Sequence, residues 1–137
     1  LFESMLFFAT KSGYVKLVSG AEFETSRLQV AATKLDQEDQ VAGVISLSAS
    51  DVLEGNKKVI LLTRNGLSLG FSLSEVSEFK KTSRGVKGIA LDKNDSLVFS
   101  TIVDTNTDTF EYDGRVLNAK RVRNRKRAAK GQKATLD

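Results

Sequence analysis

Short apolar runs separated by polar, glycine-bearing turns dominate this chain. Met5-Leu6-Phe7-Phe8-Ala9 leads through Thr10-Lys11-Ser12-Gly13 into Tyr14-Val15-Lys16-Leu17-Val18. Val59-Ile60-Leu61-Leu62-Thr63 leads through Arg64-Asn65-Gly66 into the alternating Leu67-Ser68-Leu69-Gly70-Phe71. A continuous run rich in β-branched residues fits a strand covered on both faces, and alternation fits a half-buried one. Asn and Gly accept the positive φ of tight turns, so each pair of runs is a predicted hairpin. Asp113-Gly114 marks a third hairpin, and Val41-Ala42-Gly43-Val44-Ile45 and Leu97-Val98-Phe99-Ser100-Thr101-Ile102 add further apolar stretches. No run approaches the roughly 20 residues of a membrane-spanning helix.

The hairpins recur. Gly13, Gly66 and Gly114 lie 53 and 48 residues apart, a period of the size that marks propeller-like or solenoid arrays. Nine residues past the first two glycines stand Glu22 and Glu75, whereas the ninth residue past Gly114 is Arg123. Leu35-Asp36, Leu91-Asp92 and Leu136-Asp137 recur in turn, with a further acid at Asp39 and Asp95. The units run over about 5–52, 57–104 and 108–137, the last divergent, and 51–58 and 104–108 are polar connectors. Ser74-Glu75 suits a short helical turn within 73–79. The expected class is all-β, in blades. Because the chain opens at Leu1, the reading is of a fragment, 1–137, of one larger domain.

Composition removes most catalytic options. The 137 residues include neither Cys nor His, so thiolate or imidazole metal sites and the usual nucleophile–base pairs have almost no material. Glu22 and Glu75 occupy one repeat position, which fits a structural bond within each blade better than an acid–base pair. Asp36, Asp39, Asp92 and Asp95 lack the dense oxygen spacing and turn glycine of calcium loops, so turn-capping is expected. Phe7, Phe8, Phe23, Phe71 and Phe99 sit in apolar or alternating stretches and are core candidates.

Charge is strongly localised. Nine of the 21 basic residues lie between Gly114 and Lys133, a stretch without an acid, leaving twelve basic residues against all 17 acidic ones elsewhere.

The hairpin L-L-T-R-N-G, the acid nine residues on, Arg84-Gly85-Val86-Lys87-Gly88-Ile89, and Leu91-Asp92 with Asp95 together resemble a blade of the C-terminal domain of bacterial type IIA topoisomerase A subunits, those of DNA gyrase and topoisomerase IV. The first unit is similar, although Arg27-Leu28-Gln29-Val30-Ala31 lacks the glycines of the R-G-x-K-G signature. The third is similar but divergent, with Arg127-Ala128-Ala129-Lys130-Gly131 as its matching stretch. The resemblance covers essentially the whole chain. It implies a β-pinwheel: four-stranded antiparallel blades, strands exchanged between neighbours, in an incomplete ring or open arc with a basic perimeter that bends duplex DNA. The implied partners are duplex DNA, the ATPase B subunit and the rest of the A subunit, in a cytoplasmic, nucleoid-associated setting without membrane. No cofactor is implied here; ATP and Mg2+ would serve the parent enzyme elsewhere, as would the reactive tyrosine, which neither Tyr14 nor Tyr112 matches. No intact gyrase box, Q-R-R-G-G-K-G, occurs; Lys126-Arg127-Ala128-Ala129-Lys130-Gly131 comes nearest, which points toward topoisomerase IV.

The contact surface this suggests comprises Lys80, Lys81, Arg84, Gly85, Lys87 and Gly88 of the second unit and Arg115, Lys120, Arg121, Arg123, Arg125, Lys126, Arg127 and Lys130 of the third. Lysine and arginine release counterions from DNA phosphates, and Gly85 and Gly88 are expected to let backbone amides approach them. Contact with about six to eight phosphates implies a slope of log K against log salt of roughly −5 to −7. On charge pattern alone these segments also read as a solvated loop and a polybasic tail. A protein-interaction scaffold and an RNA-binding module remain the alternative functions.

Overall fold

The computed structural model describes residues 4–23, 39–133 and 136–137. Arg27 to Ala31 and Leu35-Asp36 lie outside the described residues, as does the side chain of Phe23. Ten strands occur among the described residues: β1 (Ser4–Thr10), β2 (Tyr14–Ser19), β3 (Val41–Ser48), β4 (Lys57–Thr63), β5 (Leu67–Ser72), β6 (Val86–Lys87), β7 (Leu97–Asp104), β8 (Thr109–Tyr112), β9 (Arg115–Asn118) and β10 (Gln132–Lys133). They form two four-stranded antiparallel sheets, ordered β3-β1-β2-β6 and β10-β5-β4-β7, and the hairpin β8-β9.

Each four-stranded sheet borrows its last strand from further along the chain. Tyr14 pairs with Lys87 and Val15 with Val86 in the first; Leu67 pairs with Lys133 and Ser68 with Gln132 in the second. This is the strand exchange of a β-pinwheel, and none of these sheets closes on itself. It makes each blade depend on the next.

The predicted hairpins form, with a difference among their turns. Lys11-Ser12-Gly13 and Arg64-Asn65-Gly66 are three-residue loops in which the glycine alone has positive φ, +95° and +88°. The third loop is the two-residue Asp113-Gly114, with φ of 55° and 76°, the mirror-image turn that favours Asp-Gly. Asp39 and Asp95 cap the first two turns from outside. Ser12 N donates to Asp39 Oδ1 at 3.0 Å, and Asn65 N donates to Asp95 Oδ1 at 3.0 Å. Burial alone would raise both carboxyls, but hydrogen bonds win: Ser12 holds Asp39 below the ordinary carboxylate range, and Thr63, Asn65 and Ser96 do the same for Asp95.

Strand β4 shows why its run is continuously apolar. Val59 and Leu61 face Phe7, Ala9, Val15 and Leu17 of the first sheet in one core, whereas Ile60 and Leu62 face Phe110, Leu117, Ala119 and Val122 in a second. The sheet is thus filling on both sides. Phe7 and Phe71 are fully buried, and Phe99 stacks on Phe110 with ring centroids 6.1 Å apart. Phe8 is only half-buried, because it lies on the outer face, where the Lys16 ammonium sits 5.4 Å from its ring centroid.

The segment after β5 is a 3-10 turn, Leu73–Glu75, capped by the Ser72 side chain, and its counterpart after β9 is Ala119–Arg121, capped by Asn118. A short α-helix, α1 (Ala49–Leu53), follows β3; Ser48 and Asp51 form its reciprocal capping box. No helix among the described residues is long and apolar enough to cross a membrane.

Candidate nucleic-acid interface

The glutamate repeat turns out to be a joint between sequence units. Lys81 N donates to Glu22 Oε1 at 3.0 Å, and Arg127 N donates to Glu75 Oε1 at 2.8 Å. Each bond stays beside one sheet but spans two sequence units, because the basic loop it holds feeds the exchanged strand. Arg127 goes further: its Nε donates to the Glu75 carbonyl at 2.9 Å and a terminal nitrogen donates to the Lys87 carbonyl at 2.8 Å.

These contacts and the strand pairing fix the correspondence of the two basic loops. Lys80 and Lys81 match Lys126 and Arg127, and Arg84-Gly85-Val86-Lys87 matches Lys130-Gly131-Gln132-Lys133. Matching the signature to Arg127-Ala128-Ala129-Lys130-Gly131 is therefore displaced by three residues. A second displacement affects the acid position. Strand β9 has four residues where β5 has six, so the residue in the place of Glu75 is Arg121, in the capped 3-10 turn, rather than Arg123.

Two buried lysines, unmarked in the sequence, complete the joints. Lys16 Nζ donates to the carbonyls of Lys81 and Ser83, both at 2.7 Å. Burial pushes its pKa down to about 8, against the pull of the Glu22 carboxylate. Lys58 Nζ donates to the Ala119 and Val122 carbonyls at 3.0 and 2.6 Å, and burial, with Lys120 nearby, lowers its pKa too. Lys16 had one signal, a lysine inside an apolar run, whereas Lys58 stands beside Lys57 at the start of β4 and had none.

The second unit's candidates divide by task. Lys80 is 84% exposed and pairs loosely with Glu22 at 3.7 Å, while Lys81 is half-buried and its Nζ donates to the Glu22 carbonyl. The Arg84 guanidinium lies 3.9 Å from the Tyr14 ring centroid, a cation–π contact on an exposed side chain. Lys87 is exposed on β6. Gly85 and Gly88 serve the fold: a Cβ at Gly85 would sit 2.4 Å from the Val15 carbonyl oxygen, and one at Gly88 2.7 Å from a Val15 methyl. Their amides donate within the protein, to Ser83 Oγ at 3.1 Å and the Gly13 carbonyl at 2.7 Å. The expected amide-to-phosphate approach is thus replaced by close packing of the exchanged strand.

In the third unit, Arg115 pairs with Asp137, Lys120 with Asp108 at 3.3 Å and Lys130 with Asp92 at 2.8 Å. Asp92 raises the Lys130 pKa through a hydrogen bond and its charge. Arg123, Arg125 and Lys126 line an open groove of about 660 Å3 with Asn124, Ala129 and Gln132. Arg121, Arg123 and Lys133 line an adjoining recess of about 260 Å3 with Ser68 and Gln132. Among the described residues no carboxylate lines either, and the two share Arg123 and Gln132, so five cations line two adjoining hollows. Lys133 was absent from the predicted surface. Among the described residues, no group of three or more acids assembles as a metal site.

The DNA gyrase C-terminal domain, beta-propeller family matches residues 4–48 and 57–104. Among curated relatives, the DNA gyrase A protein of Helicobacter pylori (strain ATCC 700392 / 26695) is 35% identical over 74% of this chain. The DNA topoisomerase 4 A protein of Staphylococcus epidermidis (strain ATCC 12228 / FDA PCI 1200) is 30% identical over 74%. The chain spans 12% of the length of each. In three dimensions it resembles the C-terminal domain of DNA topoisomerase IV with a TM-score of 0.77 and 26% identity, covering 94% of this chain and 40% of that one. The E. coli ParC C-terminal domain gives 0.76 at 17% identity, over 98% and 57%, a likeness of fold. The family match covers the β1-β2 and β4-β5 hairpins with β3, β6 and β7, and so the chain belongs to the β-pinwheel C-terminal domain family of the DNA gyrase and topoisomerase IV A proteins.

Proposed function

We propose that this chain is a non-catalytic module that binds and bends duplex DNA as part of the A protein of a type IIA topoisomerase. The observation that carries this reading is the pair of adjoining hollows lined by Arg121, Arg123, Arg125, Lys126 and Lys133, with no carboxylate among the described lining residues. Lys80, Arg84 and Lys87 extend the positive surface along the preceding blade. Phosphate contacts of this kind supply affinity without reading bases, because Coulomb attraction and counterion release are indifferent to sequence. The blades hold the cations on short turns and exchanged strands, so a duplex that reaches several of them must follow the curve of the arc. Bending about 20–30 base pairs by 40–90° costs on the order of 1–6 kcal/mol, which further phosphate contacts offset.

In this reading the duplex is presented to the catalytic parts of the parent enzyme. Its tyrosine, ATP site and Mg2+ reside in the B subunit or in the rest of the A subunit, within the bacterial cytoplasm at the nucleoid. Arg127, Lys81, Gly85 and Gly88 are joints in this scheme rather than DNA contacts.

The test is fluorescence anisotropy of the chain on two long duplexes of unrelated sequence, with Arg123→Glu/Lys126→Glu as the variant. Binding to both duplexes should weaken alike, by about tenfold or more for two reversed phosphate contacts. An unchanged affinity removes the groove from the interface.

A further inference from the structure

We infer that the recess between β5, β10 and the turn after β9 is a discrete phosphate site, recognising the oxyanion of a phosphodiester or of a small polyphosphate. It deepens the DNA-binding reading and rests on it for the first of those two sources.

The recess is built from Arg121, Arg123 and Lys133 over Ser68 and Gln132, has a volume of about 260 Å3 and holds no carboxylate among the described residues. That volume lies below the roughly 300–1,000 Å3 of pockets that take drug-sized organic ligands, and three cations around it favour a compact, highly charged group. Two of the three are arginines, whose planar forks match phosphate oxygens pairwise. Gln132 adds a carboxamide. The Ser68 hydroxyl donates to the Gln132 carbonyl at 3.4 Å, tying the exchanged strand to the recess floor.

The preceding blade supplies an internal control. By strand pairing, Ser68, Gln132 and Lys133 correspond to Val15, Val86 and Lys87. The parallel bridges Leu17 to Glu78 and Gly70 to Asn124, with the matching capped turns, place Arg121 and Arg123 on Glu75 and Ser77. The same position in the first blade therefore carries one cation, one carboxylate and two valines. There the acid clamps the next basic loop through Arg127 N. An arginine cannot accept that bond. At Arg121 the position has exchanged an acceptor for a cation, and with Arg123 and Lys133 it turns a joint into an anion seat.

The test uses the full chain with two probes, inorganic pyrophosphate and a long duplex. The variants are Arg121→Gln/Arg123→Gln and, with the same charge change, Lys80→Gln/Arg84→Gln. All four side chains are exposed, and equal melting temperatures check the fold. The recess variant should lose at least tenfold in pyrophosphate affinity and about two units of DNA salt slope, near 0.9 per phosphate contact. The loop variant should lose slope while keeping pyrophosphate affinity. Arg121→Lys/Arg123→Lys should keep the slope and lose pyrophosphate, since charge survives and the paired geometry does not. Pyrophosphate binding that fails at millimolar concentration, or weakens equally in the recess and loop variants, overturns the site while leaving DNA binding intact. Pyrophosphate held by the recess without any DNA binding supports the site and refutes the DNA reading.

Discussion

Glu75 and Arg127 lie 52 residues apart in sequence and share two hydrogen bonds, Arg127 N to Glu75 Oε1 at 2.8 Å and Arg127 Nε to the Glu75 carbonyl at 2.9 Å. The pair holds a basic loop against the blade that receives its strand. Glu75→Ala leaves the Arg127 amide without its acceptor, which should cost about 1–3 kcal/mol in urea unfolding. Glu75→Gln keeps an oxygen there and should cost well under half as much. Equal losses would mean that charge rather than hydrogen bonding makes the joint.

Two glycines with nearly equal φ should respond differently to alanine. Gly66 (φ +88°) opens onto space among the described residues, whereas a Cβ at Gly85 (φ +89°) would lie 2.4 Å from the Val15 carbonyl oxygen. Gly66→Ala should therefore show only the left-handed backbone penalty, about 1–2 kcal/mol. Gly85→Ala adds a clash with backbone that cannot move without unpairing β6 from β2. Thermal melts should separate the two by several degrees, Gly85→Ala being the worse.

Ala128 offers the opposite experiment. It holds φ +73° without being glycine, and its amide donates to the Gly88 carbonyl at 2.9 Å. Relief of the left-handed strain outweighs the extra freedom glycine gives the unfolded chain, so Ala128→Gly should stabilise by about 0.5 kcal/mol. A drop in melting temperature would show that the Ala128 methyl contributes more by packing than its backbone costs.

Lys16 predicts a pH dependence. Its proton leaves the folded state at about 8 but stays on the unfolded chain to the ordinary value of 10.5. Between those values the unfolded state binds more protons, so this group makes stability rise with pH from 8 to 10.5 and contributes a constant penalty below 8. Unfolding titrations of the native chain should show that rise relative to Lys16→Met, which lacks the titrating group. Parallel profiles for the two proteins would place the ammonium in a more polar setting than its carbonyl cage provides.

The architecture was legible because its signals are local and repeated. Val59 to Thr63 carries the mark of a strand covered twice, Arg64-Asn65-Gly66 a turn, and Asp39 and Asp95 caps at one register. What escaped depends on length and on distance. Two residues fewer in β9 moved the acid position from Arg123 to Arg121, and no local pattern records a strand's length. The stretch R-G-x-K-G matches by its letters three residues away from the partner that backbone pairing selects. Nothing local marks the roles of Lys16 and Lys58, because the carbonyls they cap come from turns some 60 residues on. Charge localisation identified the third unit, yet only the fold shows that Arg121, Arg123, Arg125, Lys126 and Lys133 line the two hollows, while Arg115, Lys120 and Lys130 pair with carboxylates and Arg127 joins the blades.

Salt dependence decides whether this surface holds duplex DNA through its phosphates, as proposed. Anisotropy titrations of the chain on a long duplex, from about 50 to 200 mM salt, should give a slope of log K against log salt of roughly −5 to −7, equal on duplexes of unrelated sequence. A slope near zero, or binding confined to one sequence, means that phosphate contacts do not hold the duplex here.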